Sequence, residues 1–334
     1  MTRTLYWQRF ADATIDRLVR PGPGDPLLIL ASTENDLVLA EALLSAGVRQ
    51  GADTQLLVKP RSKPGPESQQ LGPIISNAIR NSRFIVSICD DGFDASPPVL
   101  EARRNGARML ICDVTDIEDY CIRGLLNVDQ DKMNRNARRV ADLWDQTKNC
   151  RLTSPVGSDV TFDLHPRKSL IGDGVLKEDG VVEFFPGTQV SIAPVEDTIE
   201  GRIVVDASDS VQGLVYSPYT LHIKKGKITK VDGGREAATM EQWLRACNEE
   251  IIYELCHFSL GLNPEAGICG RMNEDERKLA AVDFGFGYQD PDFGGTVGLG
   301  TWHMDIMLAA PTVFLDGVEM SGSGTLNEDM GFEM

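Results

Sequence analysis

The chain has 334 residues, of which 42% are hydrophobic and 25% charged, and its formal net charge is −17 at pH 7. This composition is that of a globular protein with one large domain or two of medium size. The acidic excess argues against nucleic-acid or anionic-membrane partners, because attraction to phosphate groups requires a basic surface. No apolar stretch approaches the length of a membrane span, so no membrane partner is expected.

The N-terminus and the cysteines both indicate a cytoplasmic protein. The first twenty residues form an amphipathic pattern that contains acids and lacks the unbroken apolar core of a secretion signal. The seven cysteines are odd in number, scattered along the sequence and never spaced as C-x-x-C. Reduced thiols in a cytoplasm fit this usage best.

Short apolar runs alternate with helical patterns over the first 150 residues. Four runs have the length of a strand: 25–32, 53–60, 82–89 and 107–113. Between the first two, residues 35–51 place their apolar side chains on one helical face. This rhythm predicts an α/β domain with an open, mainly parallel sheet and helices on both sides. The first strand is followed by STENDLVL without a G-x-G-x-x-G fingerprint, so no dinucleotide cofactor is expected.

The second half has a different pattern, rich in β-strand residues and glycine. A helix predicted over 133–150 closes the first half, and one further long helix is predicted over 237–256. Turn pairs occur at Lys225-Gly226, Asp232-Gly233 and Asp316-Gly317. We therefore expect two domains, an α/β domain over 1–150 and a β-rich α+β domain over 151–334.

Chemistry is most readily placed at two of the four histidines. His165 and His222 have the surroundings of surface residues at strand positions. His303 precedes Asp305 by two residues in the apolar run GTWHMDIML. In a strand, side chains at i and i+2 point the same way, about 6–7 Å apart. His303 and Asp305 are therefore placed to bind one metal ion together, or to hydrogen-bond to each other.

His257, at the end of the predicted long helix, has two interpretations. It is either a C-terminal histidine favoured by the helix dipole or a third metal ligand beside His303 and Asp305. Two imidazoles and one carboxylate form the ligand set of mononuclear non-haem iron(II) oxygenases, which leaves positions open for substrate and oxygen. Three-ligand zinc sites more often activate water for hydrolysis.

Five stretches carry a resemblance to a known family: GSDVTF (157–162), FFPGTQVSIAPVEDTIEGRIVVD (184–206), GKITKVDGGREA (226–237), CHFSLGLNP (256–264) and HMDI (303–306). With them the chain resembles the M29 aminopeptidase family and, within it, the branch of the 2,5-dihydroxypyridine 5,6-dioxygenases. The resemblance implies that His257, His303 and Asp305 are iron ligands. It also implies a homo-oligomer.

The resemblance separates the two branches. The aminopeptidases hold two metal ions with glutamates that fall at Gln189 and His257 of this chain, and with a histidine that falls at Asp283. A two-metal site is thus largely dismantled. The pyridinediol dioxygenases also use pocket histidines as acid–base groups, but the positions near Ala95 and Phe184 carry none. Either a carboxylate such as Glu265 or Asp283 has that role, or the substrate differs.

The sequence thus predicts a mononuclear non-haem Fe(II)-dependent dioxygenase. It would act with O2 on a small hydroxylated N-heteroaromatic or related metabolite, for example by ring cleavage of a 2,5-dihydroxypyridine. The predicted metal ligands are His257, His303 and Asp305, and Glu265 is the candidate acid–base residue. Manganese favours the same ligands as iron. The alternatives are a divergent M29-type metallo-aminopeptidase with one zinc or cobalt ion, and a binding protein whose metal site has decayed.

Overall fold

The computed structural model describes residues 2–62, 69–89, 92–112 and 127–333. The chain forms two compact units. The first comprises Met1–Val128 and Asp173–Gly187, and the second comprises Asp129–Gly172 and Thr188–Met334. This division differs from the boundary expected near residue 150.

Two segments account for the difference. The helix predicted over 133–150 forms at Gln130–Gln146, and its buried Ala137, Val140 and Trp144 belong to the hydrophobic core of the second unit. Conversely, residues 173–187 return to the first unit and add the strand Val182–Phe184 to its sheet. Such a return is invisible in the local sequence pattern.

The first unit contains a parallel sheet, as predicted. Among the described residues its strands run in the order β2-β1-β3-β4-β8, and every neighbouring pair is parallel. Their bounds are β1 Pro26–Ser32, β2 Asp53–Lys59, β3 Phe84–Ser87, β4 Arg108–Ile111 and β8 Val182–Phe184. Its helices are α1 Arg3–Ala13, continued by a π-helical turn over Thr14–Val19, α2 Leu37–Arg49, α3 Pro73–Arg80 and α4 Pro97–Arg104.

Alternation along β1 explains why helices cover both faces of this sheet. Leu28 and Leu30 pack in one cluster with buried residues of α3 and α4, among them Ile79 and Val99. Leu27 points the other way, toward α2, where a Cβ added to Gly47 would come within 2.7 Å of its Cδ2 atom. The predicted α/β class of this region is thereby confirmed.

The second unit is built from two antiparallel sheets in its described part. The larger runs β14-β13-β10-β6-β5-β18-β19-β20 and the smaller β12-β11-β17-β16-β15-β9-β7. The larger sheet consists of β5 Asn149–Thr153, β6 Asp159–Asp163, β10 Glu200–Val205, β13 Tyr219–Lys224, β14 Lys227–Asp232, β18 Thr312–Leu315, β19 Val318–Gly322 and β20 Thr325–Leu326. The smaller consists of β7 Leu170–Gly172, β9 Gln189–Ile192, β11 Ser208–Asp209, β12 Gly213–Leu214, β15 Leu255–Gly261, β16 Val282–Gly287 and β17 His303–Leu308.

One hydrophobic core joins these sheets to the helices of the unit, α5 Gln130–Gln146 and α6 Arg235–Cys247. At its centre the ring of Trp144, on α5, stacks on Phe258 of β15 with 4.7 Å between ring centroids. Phe162 of β6 meets Phe258 edge-on at 5.0 Å. A short helix, α7 Met272–Asp275, lies between β15 and β16 in the chain. The β-rich prediction for this half is confirmed.

The turns and the long helix were only partly predicted. Lys225-Gly226 and Asp316-Gly317 form hairpin turns with positive φ at both residues, whereas Asp232-Gly233 joins β14 to α6. The helix expected over 237–256 ends at Cys247, because Asn248 adopts the left-handed conformation that terminates a helix. His257 therefore lies inside β15, and its interpretation as a helix-end histidine is wrong.

Two further features concern the cysteines and the length of the helices. No disulfide joins any two of the six cysteines within the described ranges, and Cys121 lies outside those ranges. Within the same ranges no helix has both the length and the apolar character needed to cross a bilayer.

Candidate metal centre

The candidate site lies on one face of the smaller antiparallel sheet. Successive side chains along a strand point to opposite faces. One face is apolar and belongs to the core, with Val190, Ile192, Phe258, Leu260, Val282, Phe284, Phe286, Met304, Ile306 and Leu308. The opposite face carries Gln189, Ser191, His257, Ser259, Asp283, Gly285, His303 and Asp305. The apolar face thus anchors the strands, and the polar face is available for chemistry.

The two predicted ligands of the H-x-D pair face each other on β17. His303 Nε2 lies 2.9 Å from Asp305 Oδ1. On the other side of the ring, Nδ1 donates a hydrogen bond to the carbonyl oxygen of Tyr288 at 2.7 Å. This bond fixes the ring and leaves Nε2 as the nitrogen for a metal ion. Two hydrogen bonds with Ser210 hold the Asp305 backbone in place: the Asp305 N–H donates to Ser210 Oγ at 3.1 Å, and the Asp305 carbonyl oxygen accepts from the Ser210 N–H at 3.0 Å.

His257 joins this pair from β15. Its Nε2 atom lies 3.1 Å from Asp305 Oδ1, and its ring centroid is 5.2 Å from that of His303. A β-bulge between Leu255 and His257 inserts Cys256 as an extra residue in β15. The Cys256 thiol is buried and lies 3.8 Å from His303 Nδ1. The structure therefore brings His257, His303 and Asp305 together, although His257 precedes the other two by more than forty residues in the sequence.

Burial and neighbouring charges shift the pKa values of the two imidazoles in opposite directions. Burial, together with a positive charge on His303, lowers the pKa of His257 to about 4. Desolvation also opposes a charge on His303, but the Asp305 carboxylate outweighs it and raises the pKa of His303 well above its usual value. Burial likewise opposes the charge on Asp305, and the two histidines keep its pKa below the usual range. Without metal, His257 is neutral while His303 and Asp305 form an ion pair.

A second carboxylate, Asp283 on β16, completes the cluster. It is fully buried, and its Oδ2 atom lies 3.0 Å from His257 Nε2. Within the described residues no hydrogen bond reaches either of its oxygens. Burial, followed by the charges of Asp305 and Glu276, raises its pKa well above the usual value. A buried carboxylate without a donor is expensive, so a cation beside it would satisfy an otherwise orphaned group.

Two charged residues that sequence analysis missed lie near this face. Glu276 is largely buried and pairs with Arg277 Nη1 at 2.5 Å. Burial raises the pKa of Glu276 to about 7, and a hydrogen bond from Gln189 partly opposes the shift. In the sequence, Glu276 stands in the charged run NEDERK, which is typical of an exposed loop. No local signal distinguishes it from its neighbours.

Glu265, the predicted acid–base residue, lies apart in this arrangement. It is exposed on the loop after β15, and its backbone amide donates a hydrogen bond to Asn263 Oδ1 at 3.0 Å. Among the described contacts, none joins its side chain to the two histidines or Asp305.

The donor atoms fit one hard or borderline metal ion. Two overlapping groups have potential ligand atoms that all lie within 4.8 Å of one another, Cys256–His257–His303 and His257–Asp283–Asp305. His257 belongs to both groups, and the 2.9 Å contact between His303 and Asp305 connects them. Imidazole and carboxylate donors together suit iron or manganese.

The chain is similar to proteins of one known family. Residues 17–328 match the family described as NicX, 2,5-dihydroxypyridine 5,6-dioxygenase. The curated 2,5-dihydroxypyridine 5,6-dioxygenase of Pseudomonas putida is 28% identical over 176 residues, which are 51% of this chain and 48% of that protein. The match thus spans about half the length of that relative.

Two solved structures share the fold. That of 2,5-dihydroxypyridine dioxygenase from Pseudomonas putida KT2440 has a TM-score of 0.80 and 20% identity over 98% of each chain. Wild-type AmpT from Thermus thermophilus has a TM-score of 0.71 and 14% identity over 97% of this chain and 100% of that chain. The predicted resemblance is confirmed, because the family match covers most of the sequence. The chain belongs to the 2,5-dihydroxypyridine 5,6-dioxygenase family.

Proposed function

We propose that the protein is a non-haem Fe(II)-dependent dioxygenase that opens the ring of a small hydroxylated N-heteroaromatic compound. The observation that carries the proposal is the convergence of His257 and His303 on Asp305 Oδ1, at 3.1 and 2.9 Å, in a chain of this family. A relative is named for 2,5-dihydroxypyridine, which makes that compound the first substrate to test.

The protonation states and hydrogen bonds of the proposed ligands favour the binding of a divalent cation. His257 is neutral near pH 7, so the ring can present Nε2 to a metal ion in the tautomer that has its hydrogen on Nδ1. His303 is held by Tyr288 and needs only to release the proton that Nε2 shares with Asp305. When bound, iron(II) would bring substrate and O2 together so that both oxygen atoms enter the product, with electrons supplied by the substrate. No external reductant is required for that balance.

The exposure of the ligands and one aromatic neighbour indicate how a substrate would approach the site. A third of the His303 side chain is exposed, at 33%, whereas those of His257 and Asp305 are 10% and 14% exposed. Solvent and small molecules therefore reach the centre from the His303 side. Phe293 lies beside His257, with 5.3 Å between ring centroids, and offers an apolar surface to an aromatic ring.

We assign carboxylates near the ligands, not Glu265, as the best candidates for acid–base work. Glu265 is exposed and shows no contact with the ligands among the described residues. Asp283 contacts His257 directly, and Glu276 interacts electrostatically with Asp305 and His303. Either is better placed than Glu265 to hold a proton beside a bound substrate.

The test combines iron content with oxygen uptake. Protein reconstituted with Fe(II) without oxygen should retain iron and consume O2 when 2,5-dihydroxypyridine is added. His303→Ala should lose both iron and turnover, because it removes one of the three ligands. His222→Ala should keep both, because His222 lies on the hairpin of β13 and β14, where it contacts Asp232. Equal iron retention by the two variants would contradict the assignment.

The aminopeptidase alternative is supported by the fold alone. The resemblance places Gln189 where the two-metal aminopeptidases have a glutamate, and its amide donates a hydrogen bond to Ser191 Oγ at 3.1 Å. An amide cannot supply the negative charge that a second metal ion needs. Hydrolysis of amino-acid amides under nitrogen, without oxygen uptake on the pyridinediol, would favour the peptidase.

The remaining expectations complete the proposal. We expect a homo-oligomer in the cytoplasm that has a small-molecule substrate and O2 as its partners. Light scattering after size-exclusion chromatography tests the oligomeric state.

A further inference from the structure

Two of the proposed ligands come from strands that are not neighbours. His257 lies on β15 and Asp305 on β17, and between them Gly285 of β16 pairs with both. Adjacent strands are about 5 Å apart, so the Cα atoms of the two outer residues are separated by roughly 10 Å. Their side chains still approach to 3.1 Å. They therefore reach toward each other across the middle strand, above Gly285.

The imidazole of His257 fills the space that a side chain at position 285 would need. A Cβ atom on Gly285 would lie 2.1 Å from His257 Nε2, 2.3 Å from Cδ2 and 2.6 Å from Cε1. Favourable contacts between such atoms need about 3.5–4.0 Å. The clash falls on the metal-facing edge of the ring, because Nε2 is the atom that faces Asp305 and Asp283.

Space, and not backbone conformation, is the reason for a glycine here. Gly285 is absent from the positive-φ residues of the described chain, so a residue with a side chain could adopt the same backbone angles. Nor does this face of β16 demand small residues in general, because Asp283, two positions earlier, has a full side chain there. The requirement is confined to the point where the side chains of His257 and Asp305 meet.

We infer that Gly285 is a positioning residue of the metal centre, whose missing side chain lets His257 and Asp305 converge across β16. The inference rests on the proposed metal site for its purpose. The contact itself, however, exists in the metal-free protein, so it can be tested without iron. Any side chain at position 285 must displace the imidazole from Asp305.

A double-mutant cycle on metal-free protein tests the contact. Gly285→Ala should lower the thermal midpoint of the wild-type background by about 2–10 °C, the range for overpacking a filled site. In a His257→Ala background the same change should have little effect, because the clashing ring is gone. Gly72→Ala is the matched control for an added methyl group, since Gly72 is exposed, has φ −63° and has no atom near its added Cβ. Gly72 is the N-cap of α3, so any cost of this substitution should be the same in both backgrounds. Equal lowering by Gly285→Ala in both backgrounds overturns the inference.

Iron affinity supplies a second readout that a purely structural role would not change. Folded Gly285→Ala protein should bind Fe(II) about 10- to 100-fold more weakly, the range for residues that orient metal ligands. Gly72→Ala should bind it as the wild type does. Unchanged affinity in Gly285→Ala would overturn the inference. This readout remains available if the His257→Ala protein fails to fold. If the wild type binds no iron but the cycle shows coupling, the positioning role stands and the proposed function falls.

Discussion

Acidification should destabilise the metal-free protein through His257. The pKa of this imidazole is 6.5 when unfolded and about 4 in the folded protein, where burial is the main cause of the shift. Below pH 6.5 the unfolded chain binds a proton that the folded chain excludes. The stabilisation is therefore complete above pH 6.5 and is lost as the pH falls toward 4. Between pH 7.5 and 5.0 the loss from this one group is about 2 kcal/mol.

Urea unfolding in the presence of a chelator measures this loss. Three of the four tryptophans, Trp144, Trp243 and Trp302, lie in the second unit, so tryptophan fluorescence mainly reports the unit that holds the site. His257→Gln, which cannot take up a proton, should lose about 2 kcal/mol less than the wild type over the same pH interval. If His257→Gln and the wild type lose the same free energy, His257 is not the buried neutral base described above.

Two further substitutions separate the roles of the two faces of the sheet. Phe258→Ala removes a fully buried ring on the apolar face and should lower the free energy of unfolding by about 3–5 kcal/mol, while a loss below 1 kcal/mol would mean that the ring is not central to the core. Asp283→Asn removes a buried carboxyl group of the polar face whose ionisation is opposed by burial and by the charges of Asp305 and Glu276, so the thermal midpoint of the metal-free protein should hold or rise. Its Fe(II) affinity should fall about 10-fold or more, and unchanged affinity in a calorimetric titration would exclude Asp283 from the metal centre.

The sheet of the first unit was predictable because each of its strands can be recognised from a short run of residues. Runs such as PLLILAS are apolar on both faces, which is typical of buried parallel strands. The domain boundary was not predictable, because it depends on the distant pairing of Val182–Phe184 with Arg108–Ile111. Local composition cannot show that a segment inside a β-rich half completes the sheet of the other half.

The ligand trio was predictable only in part. The i, i+2 spacing of His303 and Asp305 in an apolar run gave a strand and a shared face. His257 was assigned to a helix end because the helical pattern continues beyond Cys247, and the left-handed turn at Asn248 left no clear signal. Its convergence with the pair rests on the resemblance. The burial of Glu276 and the packing of His257 over Gly285 depend on tertiary structure, because both follow from which strands become neighbours.

Metal stoichiometry and ligation in protein loaded with Fe(II) under nitrogen test the central claim most directly. Quantification by mass spectrometry, together with X-ray absorption at the iron edge, should give one iron per chain, bound by two imidazole nitrogens and carboxylate oxygen. His303→Ala should remove one imidazole from that ligand set. Two metal ions per chain at a short metal–metal distance, or iron bound without imidazole, would contradict the account.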